Sequence, residues 1–192
     1  MRLVIFGPPG AGKGTQAARI CAEHSIVPIS TGVMLRSAVA AGCELGRKVA
    51  RVLERGELVS DDLMAELVRQ RLAEDDARSG WLLDGYPRSV AQVETLAGIV
   101  GEQDLDRVLF LKVADELLLE RLRKRRREGD QGIPRADDNE ETVVRRLAVY
   151  RETTAPVAEL YRQQGLLAEI DGTGSIDEVY DRIRAELERF RQ

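Results

Sequence analysis

Short apolar runs alternate along this chain with longer stretches whose apolar residues return every three or four positions. The runs are Leu3–Phe6, Ile26–Ile29, Trp81–Leu83, Val108–Leu111 and Leu166–Ile170. Runs of that length, bounded by glycine and polar residues, predict strands buried on both faces. The stretches between them predict helices. Gln16 to Glu23 carries Ala17, Ile20 and Cys21 on one side, and Ser30 precedes a segment with Met34, Leu35 and Val39. Gly42 and Gly46 bracket a break before a helix through Val49, Val52 and Leu53 to Gly56. Ser60, followed by Asp61 and Asp62, starts another that runs to about Leu72, with acids placed at its positive end. Ser89 caps a helix through Val90, Val93 and Leu96, and a long one runs from Ala114 into the basic stretch Arg121–Arg127. Asp137 and Asp138 start the next, with Val143, Leu147 and Tyr150 on one face. Ser175 starts the last, striped by Ile176, Val179, Ile183 and Leu187. Strand and helix in alternation predict an α/β fold, a parallel sheet covered by helices on both faces.

Two stretches exceed what such a sheet needs. Residues Ser30–Val59 hold two helices where one crossover would do, and Glu128–Asp138 is a polar loop with Gly129, Gly132 and Pro134. Insertions at the C-terminal ends of parallel strands are where these folds put substrate-binding pieces. At 192 residues, 43% hydrophobic, the chain predicts one domain with a sizeable core.

The net charge of −4 gives no reason to expect general affinity for nucleic acid or a membrane surface. No apolar run approaches ~20 residues, and a signal peptide would not carry Gly7-Pro8-Pro9-Gly10 in its apolar region. Cys21 and Cys43 lack metal-knuckle spacing and are expected to be reduced, in a cytoplasmic protein. His24, the only histidine, sits late in the first helix, where its charge would complement the dipole. Nucleophilic chemistry of the Ser-His or Cys-His kind would have to run through it and is set aside.

The first strand leads into Gly7-Pro8-Pro9-Gly10-Ala11-Gly12-Lys13-Gly14-Thr15, and a helix follows. Strand, glycine loop and helix in that order read as a phosphate-binding P-loop. Glycines let backbone N–H groups crowd around phosphate oxygens, and the helix start adds unpaired amides and the positive end of its dipole. Lys13 would supply a point charge to the β- and γ-phosphates, and Thr15 a hydroxyl toward Mg²⁺. Gly14 departs from the general pattern, which has Ser or Thr directly after the lysine.

A P-loop says that phosphate is bound, not what happens next. Asp84, at the end of an apolar strand, is placed to hold Mg²⁺ or its waters, or alternatively to cap a helix. Gly85 and Pro87 shape a turn presenting Arg88 to the same cleft. Arg36, the run Arg121–Arg127, and the pair Arg135 and Arg146 add cations. Phosphoryl transfer asks for positioning and positive charge, which guanidinium groups supply. Helix geometry spreads the residues of the basic run around the axis, so only two or three of them are expected to face a cleft.

Gly7-Pro8-Pro9-Gly10-Ala11-Gly12-Lys13-Gly14-Thr15-Gln16, Ser30-Thr31-Gly32, Asp84-Gly85-Tyr86-Pro87-Arg88-Ser89 and Arg135-Ala136-Asp137-Asp138 resemble, in this order, the adenylate kinase family. Gly14 before Thr15 is that family's own form. The resemblance implies a CORE over residues 1–192 with a five-stranded parallel sheet, an AMP-binding insertion over 30–59 and a LID over 126–136. It implies that Gly10, Ala11, Gly12, Lys13, Gly14 and Thr15 cradle the ATP phosphates. Arg121 would stack on the ATP adenine, Arg125 approach the phosphates, and Gly174 offer backbone to the base. Thr31, Arg36, the backbone of Glu57, Leu58 and Val59, and Gly85, Tyr86, Pro87 and Arg88 would contact AMP, with Gln92 on its adenine. Arg135 and Arg146 would close over the phosphates. Lys13, Arg88, Arg125, Arg135 and Arg146 would be the catalytic set, with Asp84 and Thr15 serving Mg²⁺ through water. Arg123, Arg126 and Arg127 each compete with Arg125 for its place.

About ten residues without cysteine separate Arg127 from Asp138, so a short LID without a zinc site is expected. The implied reaction is ATP + AMP ⇌ 2 ADP by a monomer, with ATP, AMP and ADP as its partners and neither nucleic acid nor membrane among them. A UMP/CMP kinase is the nearest alternative. Thr31 speaks against it, since those relatives usually carry alanine there, and Gln92 suits adenine. A nucleotide-binding scaffold or GTP-driven switch is the alternative from another class, but a switch needs an Asn-Lys-x-Asp motif, which the chain lacks.

Overall fold

The computed structural model describes residues 1–100, 105–129 and 139–191. Five strands, β1 (Arg2–Phe6), β2 (Val27–Ser30), β3 (Trp81–Asp84), β4 (Arg107–Lys112) and β5 (Leu167–Asp171), form one sheet in the order β2-β3-β1-β4-β5. Every pairing is parallel. The expected fold class is therefore the observed one, with each strand within a residue or so of the apolar run that predicted it.

Burial on both faces explains the runs. Alternate residues of a strand point to opposite sides, and on β1 Leu3 and Ile5 enter one core while Val4 and Phe6 enter the other. The first core is filled from α1 (Lys13–His24), α6 (Asp115–Glu128), α7 (Glu140–Val149) and α9 (Ile176–Arg191). The second takes α2 (Thr31–Ala40), α3 (Glu44–Glu54), α4 (Asp61–Leu72), α5 (Val90–Val100) and α8 (Ala155–Gln163). Between α7 and α8 the helix widens into a π-turn over Tyr150–Thr154. Pro156, in the first turn of α8, has no N–H to return to the preceding turn, which accounts for the widening.

Register levels the sheet edge that matters. Asp84 is paired with Ile5 of β1 on one side and Ser30 of β2 on the other. The chain order reverses at β1, with β3 beside it on one side and β4 on the other. The loop leaving β1 thus opens at the switch point, where parallel sheets leave a crevice.

Three local expectations need correction. Gly46 is not part of a break, because it lies inside α3, where a Cβ would stand 2.0 Å from the Ala38 carbonyl oxygen. It is the point at which α2 and α3 cross. Asn139 is the N-cap of α7, its Oδ1 accepting the Thr142 N–H at 2.8 Å, and the helix proper begins at Glu140. Asp137 and Asp138, expected to start it, lie outside the described residues. Ser30 and Ser60 occupy cap positions without making the cap bond, and the Ser30 hydroxyl instead donates to Asp84 at 3.3 Å. Ser89 and Ser175 do cap, their hydroxyl oxygens accepting the N–H of Gln92 and Glu178 at 3.2 Å each.

Candidate functional site

The loop after β1 turns back on itself through an Ala11 N–H bond to the Pro8 carbonyl, 3.1 Å. Gly7, Gly10 and Gly12 hold φ of +145°, +86° and +90°. At Gly10 the need is double, because a Cβ would also lie 3.0 Å from Leu122 Cγ and 3.1 Å from the Leu118 carbonyl. Gly14 differs from these. It sits in the first turn of α1, and a side chain there would meet open space. No side chain caps α1, whose first internal bond is Gln16 N–H to Gly12 O at 3.1 Å. The amides of Lys13, Gly14 and Thr15 precede that bond and face the loop end of the helix, as anion binding requires. Gln16 Nε2 also donates to the Ile176 carbonyl at 3.0 Å, tying this helix to the start of α9.

Lys13 folds into the loop, its ammonium donating to the carbonyls of Gly7 (2.8 Å) and Pro8 (2.9 Å). Its pKa is pulled down to about 8. Loss of hydration is the main cause. Asp84 opposes it, and the positive fields of Arg88, Arg125 and Arg146 add to it. Four cations drawn from α1, the turn after β3, α6 and α7 thus act on one another around a single carboxylate.

Each arrives by a definable route. Arg88 curls over its own turn, with Nε donating to the Gly85 carbonyl at 2.8 Å. Gly85 is required there, since at φ +86° a Cβ would meet Thr31 Oγ1 at 2.6 Å and Arg88 Nη2 at 3.0 Å. Desolvation also lowers the Arg88 pKa, against the opposing pull of Asp84. On α6 the half-buried residues Arg121 and Arg125 fall in one stripe with buried Leu118 and Leu122, while Arg123, Lys124, Arg126 and Arg127 are exposed. The i, i+3, i+4, i+7 spacing of those four was a signal in the sequence that would have selected Arg125 from its neighbours. Arg121 Nη2 donates to the carbonyls of Gly172 (3.0 Å) and Gly174 (3.5 Å), so two residues expected on the ATP base meet directly. Arg146 is half-buried on α7, its Cγ facing Gly56.

On the other side, Thr31 is 1% exposed and donates its hydroxyl to the Asp84 carbonyl at 3.3 Å. The Arg36 guanidinium packs over Gly32, one turn earlier on α2. Glu57, Leu58 and Val59 follow α3, and Glu57 is joined to Arg145 of α7 at 2.6 Å. Thr142 of α7 donates to the Glu54 carbonyl at 3.0 Å. Gln92 is 2% exposed, with its amide bonded at both ends to Arg88 N–H and Asp61. The sequence reading took Asp61 for a helix-end charge and did not foresee Arg145, Thr142 or Asn139. Arg135 lies outside the described residues, as do residues 130–136 of the expected LID, while 126–128 complete α6.

The Ser30 hydroxyl and the Asp84 carboxylate, bonded at 3.3 Å at the C-terminal ends of β2 and β3, are oxygen donors of the kind a hard cation takes, and Thr15 in the first turn of α1 carries a third hydroxyl oxygen. Among the described residues no cluster of three His, Cys, Asp or Glu side chains could hold a metal alone. No helix among the described residues is long and apolar enough to cross a membrane.

Comparison with known proteins agrees with this geometry. The family model described as adenylate kinase matches residues 5–166. Adenylate kinase of Xanthomonas oryzae pv. oryzae is 50% identical over 192 residues, covering 98% of this chain and all of the relative. The Stenotrophomonas maltophilia adenylate kinase is 49% identical over 97% of this chain and 99% of its own length. That of Synechococcus sp. is 47% identical over 97% and 98%. A P-loop at the switch point, an arginine cluster around its lysine and likeness over almost the full length together place the chain in the adenylate kinase family.

Proposed function

We propose that this protein transfers the γ-phosphoryl group of MgATP to AMP, reversibly, giving two ADP. The observation that carries the reading is the convergence of Lys13, Arg88, Arg125 and Arg146 on one loop, close enough that each of the three arginines weakens the protonation of Lys13. Such a cluster is costly without an anion, and two phosphate chains meeting end to end would supply one.

In this reading the amides from Gly10 to Thr15 and Lys13 hold the ATP phosphates. Arg121 and the Gly174 backbone flank the ATP base. Residues 30–59 form the AMP-binding insertion, in which Thr31, Arg36 and the backbone of Glu57–Val59 meet AMP together with Gly85–Arg88 and Gln92. Arg88 grips the AMP phosphate, and Arg125, Arg146 and Arg135 stabilise the transferring group. Asp84 and Thr15 would hold Mg²⁺ through water, and the ion would supply neutralisation of the phosphate charge. No general base is needed, because the acceptor phosphate is already anionic at neutral pH. Catalysis is alignment plus charge neutralisation, with water excluded as the AMP insertion and a short LID over 126–136 come together.

Incubation with Mg²⁺, ATP and each nucleoside monophosphate tests the reading. ADP should form fastest with AMP, and Lys13→Met should cut turnover by ~10²-fold or more. UMP accepted faster than AMP would overturn the choice of acceptor, and parent-rate turnover by Lys13→Met would overturn the mechanism.

A further inference from the structure

Gln92 is gripped from two directions. Its Oε1 accepts the Arg88 backbone N–H at 2.7 Å, and its Nε2 donates to Asp61 Oδ1 at 2.6 Å. Asp61 is the first residue of α4, thirty-one positions away, and its other oxygen accepts the Ser89 hydroxyl at 3.2 Å. These partners are one-sided. A backbone N–H can only donate and a carboxylate only accept. Turning the amide by 180° would set its oxygen against the carboxylate and its NH₂ against the N–H. One orientation of Gln92 is therefore fixed, and each end retains one bonding position, a second N–H on nitrogen and a second lone pair on oxygen.

A purine edge makes that orientation consequential. Adenine presents the 6-amino donor next to the N1 acceptor. A 6-oxopurine presents an acceptor next to an N1–H donor. An amide locked one way complements only one of these patterns, whereas an amide able to turn complements either. We propose that Asp61 is a positioning residue that locks the Gln92 amide for a 6-aminopurine and so sets the acceptor site's preference for AMP over 6-oxopurine monophosphates. This rests on Gln92 meeting the base of the acceptor nucleotide.

Asp61 also starts a helix, so a merely structural role must be separable. Asp62 is the neighbouring carboxylate in the same turn of α4, and its replacement gives the same change in charge. Asp61→Asn keeps the shape but can offer a donor as well as an acceptor, which releases the Asp61 end of the amide and leaves the Arg88 N–H alone to oppose the turned orientation. Steady-state kinetics with AMP and with inosine monophosphate should be measured for the parent, Asp61→Asn and Asp62→Asn. Asp61→Asn should lower the AMP-over-IMP ratio of kcat/KM by about tenfold, with KM for AMP raised and kcat for AMP within about twofold of the parent. Asp62→Asn should leave the ratio at the parent value.

An unchanged ratio in Asp61→Asn would overturn the proposal. So would an equal loss of activity with both nucleotides, which would mark Asp61 as structural only, and so would the same fall in the ratio in Asp62→Asn. A parent that makes no ADP from ATP and AMP would overturn the underlying function together with this inference, an outcome distinct from the other three.

Discussion

Lys13 is a cation held where a cation is disfavoured. With its pKa near 8 the ammonium is mostly charged at neutral pH but largely neutral by pH 9. A bound triphosphate favours the charged form, so the folded, liganded value must lie above the ligand-free one. Binding ATP at pH 9 should therefore take up most of a proton, and binding at pH 7 should take up far less at this residue. Calorimetry in buffers of different ionisation enthalpy reads this directly. The expected result is an uptake at pH 9 that disappears in Lys13→Met, with ATP affinity in the parent falling as pH rises past 8. Equal uptake in parent and variant would show that the proton goes elsewhere. The sequence identified Lys13 by its spacing alone. It could not disclose the altered ionisation, because that depends first on burial of the ammonium and then on the fields of Arg88, Arg125 and Arg146, which only the fold brings about.

Among the elements, the α2–α3 pair shows how a local reading fails and what the failure teaches. Gly46 looked like punctuation, since glycine disfavours a helix interior by about 1 kcal/mol relative to alanine. Its real role is close approach, with the Ala38 carbonyl occupying the space a Cβ would need. The two effects oppose each other in Gly46→Ala, and the clash should win, because overpacking against backbone costs typically 1–3 kcal/mol. The expected outcome is a destabilised protein whose KM for AMP rises severalfold while that for ATP changes little, since α2 and α3 belong to the proposed acceptor-binding insertion. A gain in stability would refute the crossing argument. Strands were easier to read than caps for a physical reason. Burial on both faces leaves a continuous apolar run, as at Leu3–Phe6, whereas the start of α7 offered Asp137, Asp138 and Asn139 in succession, each able to cap. The stripe of Leu118, Arg121, Leu122 and Arg125 was present in the sequence too, but the surrounding excess of arginine obscured its phase.

For the molecule as a whole, the bonds that join distant segments are those no periodicity could announce. Thr142 reaches Glu54, and Arg145 reaches Glu57, each across 88 positions. The Arg145–Glu57 pair is partly solvated on both sides and should contribute no more than about 1 kcal/mol. Thr142 is 4% exposed, so its bond is the better shielded of the two. Thr142→Val keeps the volume and removes the donor, leaving the Glu54 carbonyl without it. A stability loss of about 1 kcal/mol is expected, with KM for AMP raised two- to fivefold and the KM effect absent in Thr142→Ser, which keeps the hydroxyl. A valine variant that matches the parent in both would show that the contact carries no energy. The same helix also carries Arg146, whose charge is felt at Lys13. In the proposed reaction, capture of the acceptor and neutralisation of the migrating phosphoryl group would thus share one ten-residue helix, and loss of its cap at Asn139 would degrade both at once. Evolution or engineering that sought to retune one of these properties alone would have to work from some other part of the chain.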